Sequence, residues 1–396
     1  GMTTPQLNPP RRITSPRPTI AFSIDSLKLG GAERILLRWA RWCRDAGWRV
    51  VVITRHGPEQ DAYPLPSGVV RCQEPRLPVI LERLGWWAFP ARLWALRSVL
   101  RRHSVVVAVG VTVLPSIKLL LASRGLRIHC LVSERNYPPA KPPALPWRWL
   151  RRLSYPWADL HLVQTQTTAA WLQSHCGVKR RLLLPNPVVW PLPKHEPVLA
   201  PDAFLPRGAL MLLAAGTKAA QKGFDRLMPV FAELALRWPR LHLVLLGLSD
   251  QPYQGLNQQA WCRQLLGDNQ GVQSRLLMPG PVGNMADWYQ RADLFLLPSR
   301  YEGFPNVLLE AMAAGCPCIA SDCSTGPADL ISDGHNGRLL SAEASTQRWI
   351  QEIEALLLDP SQCSRLAKTA LNTRDRFSES RLRSKFLSAL EGLNDG

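Results

Sequence analysis

Two carboxylates stand eight residues apart in the segment PSRYEGFPNVLLE, residues 298–310: Glu302 and Glu310. An apolar run over 294–297 reads as a buried strand, a polar loop follows, and Pro305 falls where a helix should make its first turn, a position that suits a residue without an N–H. The unpaired amides at such a helix start attract an anion, and Gly303 lets the backbone approach a bulky one. Carboxylates flanking a phosphate would repel it, so Glu302 and Glu310 are expected to accept hydrogen bonds from hydroxyl groups, with Phe304 and Asn306 completing the loop. A ligand with phosphates in the middle and hydroxylated rings at both ends fits this pattern, which describes a nucleoside-diphosphate sugar. The plainer alternative is that Glu302 is a solvated loop residue and Glu310 a carboxylate in a helix N-terminal turn.

A second segment weighs against that alternative. The apolar run over 209–215 leads into GTKAAQKGFD, residues 216–225, where Thr217, Lys218 and Lys222 lie between glycines beyond a strand end. Lysines placed there meet a diphosphate by direct charge.

The elements that must carry these loops alternate strand and helix. Strands are expected over 19–24, 49–54, 105–109, 128–133 and 160–165, with a helix over 32–45 between the first two. A second series has strands over 209–215, 241–247, 274–278, 294–297 and 318–321, and helices over 224–237, 285–291 and 305–314. Strands apolar on both faces and separated by helices imply parallel sheets covered on both sides. The expected fold class is α/β, with two doubly wound Rossmann-like domains facing a central cleft. The expected division of the 396 residues is a Pro- and Arg-rich disordered segment over 1–17, an N-terminal domain over 18–190, a Pro-rich linker over 191–207, a C-terminal domain over 208–375, and a final helix within 376–396 that could pack back on the first domain.

The charge is divided unevenly. Residues 1–190 hold 28 Lys and Arg against 9 Asp and Glu, and the other half is balanced at 20 against 21. One domain therefore meets an anionic partner. Within it, Trp86, Trp87, Trp94, Trp147, Trp149 and Trp157 alternate with arginines over 81–102 and 144–157, a combination suited to an anionic membrane surface. No helix-turn-helix, zinc-finger or RNA-binding pattern is present, so nucleic acid is not expected. The nine cysteines are scattered and sit mostly in apolar runs, which favours reduced thiols and a cytoplasmic setting. Cys316, Cys318 and Cys323 lack zinc-site spacing, and no D-x-D pair exists to hold a divalent ion; neither a metal nor another cofactor is expected. No apolar run reaches the ~20 residues of a membrane span, and the N-terminus lacks the apolar core of a secretory leader.

Taken together, EGFPNVLLEAMAAG from Glu302, QKGFD from Gln221, SDCSTGPADLISDGHNG from Ser321, LGGAER from Leu29 and SERN from Ser133 resemble the retaining glycosyltransferase family 4 of bacterial polysaccharide and lipopolysaccharide synthesis, over about residues 20–340. The resemblance implies the GT-B fold. It also implies a metal-independent hexosyl- or N-acetylhexosaminyl-transferase that uses a nucleotide sugar, UDP preferred, as a substrate. The acceptor would be a glycan or lipid-linked molecule at the inner face of the cytoplasmic membrane. By the same resemblance Glu310 holds the ribose hydroxyls, Glu302 and the backbone from Gly303 through Pro305 to Asn306 hold the donor sugar, and Lys222 neutralises the diphosphate. Gly30 and Gly31 belong to the loop closing over the phosphates. The family usually carries Arg where Thr217 stands, leaving Lys218 as the candidate second cation, and many members carry His where Arg135 stands. The competing readings are a nucleotide-sugar epimerase of the same fold and a non-catalytic glycan- or membrane-binding protein.

Overall fold

The computed structural model describes residues 17–28, 30–135, 138–140 and 142–394. The expected disordered segment, apart from Arg17, lies outside them, as do Leu29 of LGGAER and Asn136 of SERN. Seven strands form the first sheet: β1 (Thr19–Ile24), β2 (Arg49–Thr54), β3 (Val70–Gln73), β4 (Val105–Val111), β5 (His129–Glu134), β6 (Leu160–Val163) and β7 (Arg181–Leu183). All pair in parallel, in the order β3-β2-β1-β4-β5-β6-β7. The second sheet holds β8 (Leu210–Ala215), β9 (Leu241–Leu246), β10 (Leu276–Gly280), β11 (Leu294–Leu297), β12 (Cys318–Asp322) and β13 (Arg338–Ser341), also all parallel, in the order β10-β9-β8-β11-β12-β13.

Apolar strands form because both faces of each sheet are covered by helices. Along β1 the side chains alternate between two cores: Ile20, Phe22 and Ile24 pack with Val50, Val52 and Val109, and Ala21 packs with Val51, Ala108 and Val132 on the opposite face. The strand order reverses between β1 and β4 in the first sheet and between β8 and β11 in the second. These are the points where the connections leave in opposite directions and open a crevice beyond the carboxyl ends of the strands.

The chain between β7 and β8 carries one short 3-10 turn, Pro201–Ala203, and no longer element. The final helix, Glu379–Asn394, returns to the first domain. Phe386 stacks on Trp39 at 5.3 Å between ring centroids, and Trp42 donates from Nε1 to Glu379 at 3.1 Å. All nine cysteines are free, eight of them buried. Among the described residues no helix is long and apolar enough to cross a membrane.

Candidate active site

The loops that follow β1, β8 and β11 meet across a cavity of about 490 Å³. Gly31 and Arg34 line it from the first domain, Asn186 and Pro187 from the segment after β7, and Lys222, Phe304, Asn306 and Glu310 from the second domain.

Lys222 ends the short turn Ala219–Lys222, and Gly223 follows in a left-handed conformation, φ 71°. A side chain at Gly223 would collide with the carbonyl oxygen of Pro298, so glycine is what allows this turn to lie against the end of β11. The contact brings Lys222 to Glu302, with Nζ to Oε1 at 2.6 Å. The hydroxyl of Ser299 donates to the same oxygen at 2.7 Å, and Thr325 Oγ1 donates to the backbone carbonyl of Glu302. Glu302 is therefore buried, with 4% of its surface exposed, rather than solvated in its loop. Both contacts fall on Oε1, which leaves Oε2 for another donor.

Glu310 lies in the helix Asn306–Ala313 and accepts a hydrogen bond from the hydroxyl of the buried Tyr289 at 2.9 Å. Burial pushes its pKa up; the Tyr289 hydrogen bond and the charge of Arg34 act in the opposite direction. Pro305 does not occupy the first helical turn as its sequence position suggests. It is the residue just outside the helix, with φ −83° and ψ 78°, and its carbonyl accepts from Leu309 N at 3.1 Å.

Arg135 follows β5 and joins the two domains. It donates from Nη2 to Asn186 Oδ1 at 3.3 Å, and Asn186 donates from Nδ2 to Asn306 Oδ1 at 2.8 Å. Its carbonyl oxygen would lie 3.2 Å from a side chain placed at Gly303, so the absence of one there permits the close approach of the two loops. Burial and the neighbouring charge of Arg38 lower the Arg135 pKa to about 10.

Of the expected residues, Gly31, Lys222, Phe304, Asn306 and Glu310 line the cavity, whereas Glu302, Arg135, Gly303, Pro305, Gly30, Thr217 and Lys218 do not. Lys218 points away, its ammonium 5.9 Å from the Tyr253 ring, and Thr217 is exposed, its carbonyl accepting from Gln258 Nε2 at 2.9 Å. Gly30 sits in extended backbone just before the helix Gly31–Asp45, and of the glycine pair only Gly31 lines the cavity. Two guanidinium groups of the first domain line the cavity instead, Arg34 and Arg38, one helical turn apart. Their spacing immediately after the glycine pair is a signal the sequence does contain. Asn186 and Tyr289 carry no such signal: Asn186 stands 120 residues from Asn306, and Tyr289 stands 21 residues from Glu310.

Chemically, the cavity combines the Lys222 ammonium, the Arg34 and Arg38 guanidinium groups, the start of a helix and the Glu310 carboxylate, with Glu302 held against Lys222 behind it. That combination suits a polyhydroxylated diphosphate.

Residues 29–189 match the family described as Glycosyltransferase Family 4, and residues 209–359 match the one described as Glycosyl transferases group 1. The chain is 31% identical over 194 residues to an exopolysaccharide phosphotransferase of Streptomyces coelicolor, a match covering 48% of this chain and 18% of that protein. It is 25% identical over 374 residues to the GalNAc-alpha-(1->4)-GalNAc-alpha-(1->3)-diNAcBac-PP-undecaprenol alpha-1,4-N-acetyl-D-galactosaminyltransferase of Campylobacter jejuni, covering 94% of this chain and 98% of that one. The chain thus spans less than a fifth of the first relative and nearly all of the second. The solved structure of HepE from Anabaena in complex with UDP superposes with a TM-score of 0.73 at 17% identity, covering 95% of this chain and all of that one, a likeness of fold. Two parallel sheets in GT-B arrangement, with one family match on each, make this chain a member of glycosyltransferase family 4.

Proposed function

We propose that the protein transfers a sugar from a nucleoside-diphosphate sugar, UDP preferred, to a glycan or lipid-linked acceptor in cell-surface polysaccharide or lipopolysaccharide synthesis. The observation that carries this reading is the meeting of Lys222, Arg34, Glu310 and the Asn306–Ala313 helix start in one cavity. In the reaction the bond between the anomeric carbon and the diphosphate oxygen breaks, and negative charge grows on the leaving oxygen. Lys222 and Arg34 supply fixed positive charge at that point, so no metal is required by this reading. When the diphosphate arrives, Lys222 exchanges part of its contact with Glu302 for the phosphate, which frees Glu302 to accept from sugar hydroxyls beside it. Glu310 takes the ribose hydroxyls. Arg135, through Asn186 and Asn306, holds the two domains at the distance the donor spans. Retention of configuration follows from the family resemblance. The choice of a hexose or N-acetylhexosamine, and of UDP, is supported by the names of the Campylobacter and Anabaena proteins.

The basic domain supports action at the inner face of the cytoplasmic membrane. Exposed large apolar side chains gather on two adjoining segments: Ile80, Trp87 and Trp94 on one, and Leu145, Trp149 and Leu153 on the other, with Trp87 at 85% and Trp149 at 76% exposure. Trp86 and Trp147, 5.2 Å apart, join the segments. Arg83, Arg148 and Arg152 are interleaved with them. Such a face buries its aromatic residues at the lipid boundary and sets cations on anionic headgroups. Release of a nucleoside diphosphate from its sugar derivative, dependent on added lipid-linked acceptor, tests the reading; absence of release with every nucleotide sugar would refute it.

A further inference from the structure

A second cleft, of about 230 Å³, opens at the carboxyl edge of the first sheet and shares no lining residue with the donor cavity. β1 runs directly into Asp25 and β2 into Arg55. The Asp25 carbonyl accepts from the N–H groups of Arg55 and His56, each at 3.0 Å, which fixes both residues on one rim. The helix Val113–Ala122, which follows β4, contributes Lys118. The cleft therefore lies at the reversal of strand order between β1 and β4, where a ligand of this sheet belongs.

Its far wall is aromatic. Trp86, Phe89 and Trp147 form a cluster with ring centroids 5.2 to 6.0 Å apart, and Trp86 keeps 55% of its surface exposed. The charged groups differ in how they are paired. Lys118 is neutralised by Glu74 at 2.9 and 3.0 Å. Arg55 and Arg92, both lining the cleft, have no carboxylate partner among the described residues, and the Asp25 carboxylate is the one acidic group facing them. An exposed indole face suits the C–H face of a sugar ring, Asp25 suits its hydroxyls, and two guanidinium groups without a carboxylate partner, Arg55 exposed and Arg92 half-buried, suit an anion.

We propose that this cleft binds the acceptor, and that the acceptor sugar held there is anionic, carrying either a phosphate or a uronate carboxylate against Arg55 and Arg92. The assignment of this sugar as acceptor rests on the transferase reading above. Its place beside the exposed tryptophan face lets a lipid-linked acceptor reach the cleft while its chain stays in the membrane.

The test is saturation-transfer NMR titration of the full chain, saturated with UDP, against methyl β-D-glucopyranoside, its 6-uronic acid and glucose 6-phosphate. At least one anionic probe should bind about tenfold or more tighter than the neutral glycoside, the scale of one charge-assisted hydrogen bond. Trp86→Ala and Arg92→Gln should each weaken that probe by a similar factor and leave UDP affinity unchanged. Preference for the uronic acid would identify an acidic sugar, and preference for the phosphate a phosphate-linked one. Equal binding of neutral and anionic probes, no binding of any, or insensitivity to both substitutions would overturn the proposal. Failure of UDP itself to bind would instead count against the donor reading, and the same titration without UDP would still decide the cleft. Circular dichroism on both variants separates loss of the site from loss of fold.

Discussion

Replacing Glu310 separates its expected role in the donor site from its role in the fold. Its Oε1 accepts from the hydroxyl of Tyr289 at 2.9 Å, and Tyr289 is fully buried. Glu310→Ala therefore removes a ligand contact and also orphans a buried hydroxyl, costing about 1–3 kcal/mol of stability. Glu310→Gln keeps an oxygen for Tyr289 and removes the charge, so it should unfold at nearly the wild-type denaturant concentration. Both variants lose the charge-assisted hydrogen bond to a ribose hydroxyl, about 1.5–3 kcal/mol, or roughly 10- to 150-fold in Kd. Tyr289→Phe should lower stability by about 1 kcal/mol and change UDP affinity little. Isothermal titration with UDP, paired with denaturant unfolding, reads both quantities. UDP binding within twofold of wild type in Glu310→Gln and Glu310→Ala alike would refute the assignment.

Lys222→Ala should lower nucleotide release by about 100-fold or more by removing charge from the leaving diphosphate. It also strands the buried Glu302, a loss of about 3–5 kcal/mol, and adding Glu302→Gln should recover much of the stability while leaving release slow. Vesicles containing anionic lipid should float with the protein and release it at high salt, and Trp87→Ser with Trp149→Ser should weaken the association; equal flotation with neutral vesicles would contradict the charge argument. Glu134 is buried beside Tyr155, whose hydroxyl donates to it at 2.9 Å, and burial raises its pKa to about 7. Because its folded pKa is above the unfolded value, the carboxyl favours the folded state fully only below about pH 4.5, and this contribution is lost as pH rises to about 7, by at most about 3 kcal/mol. The melting temperature should therefore fall less between pH 5 and pH 8 in Glu134→Gln than in wild type, and parallel curves would refute this.

The sequence made β1, β2 and β11 legible to the residue, because their apolar runs are bounded by Gly, Pro or charged residues and buried on both faces. β3, β7 and β13 escaped it. They are short edge strands with polar or exposed positions, such as Arg71 and Arg181, and so lack the apolar run by which a central strand is recognised. In the site, the loops after β8 and β11 were legible because glycines, a proline and charged groups cluster beyond strand ends. The side chains that complete them were not. Asn186 comes from 120 residues away, and only the packing of the two sheets shows that it faces Asn306; Arg34 and Arg38 carry a spacing signal after the glycine pair, but the partners they face across the cavity come from the packing. Lys218 shows the converse: it shares a loop with Lys222, but its backbone position turns it toward Tyr253.

On the proposed reading, the cavity between the two sheets is a nucleoside-diphosphate site. The most direct test is a thermal-shift screen of wild type and Glu310→Gln against UDP, GDP, ADP and CMP, each alone and as its sugar derivative, since a ligand that binds only the folded state raises the melting temperature. The expected result is a clear rise with one nucleotide, UDP, and a smaller rise with the same nucleotide in the variant. No rise with any of them, or a rise of equal size in both proteins, would contradict it.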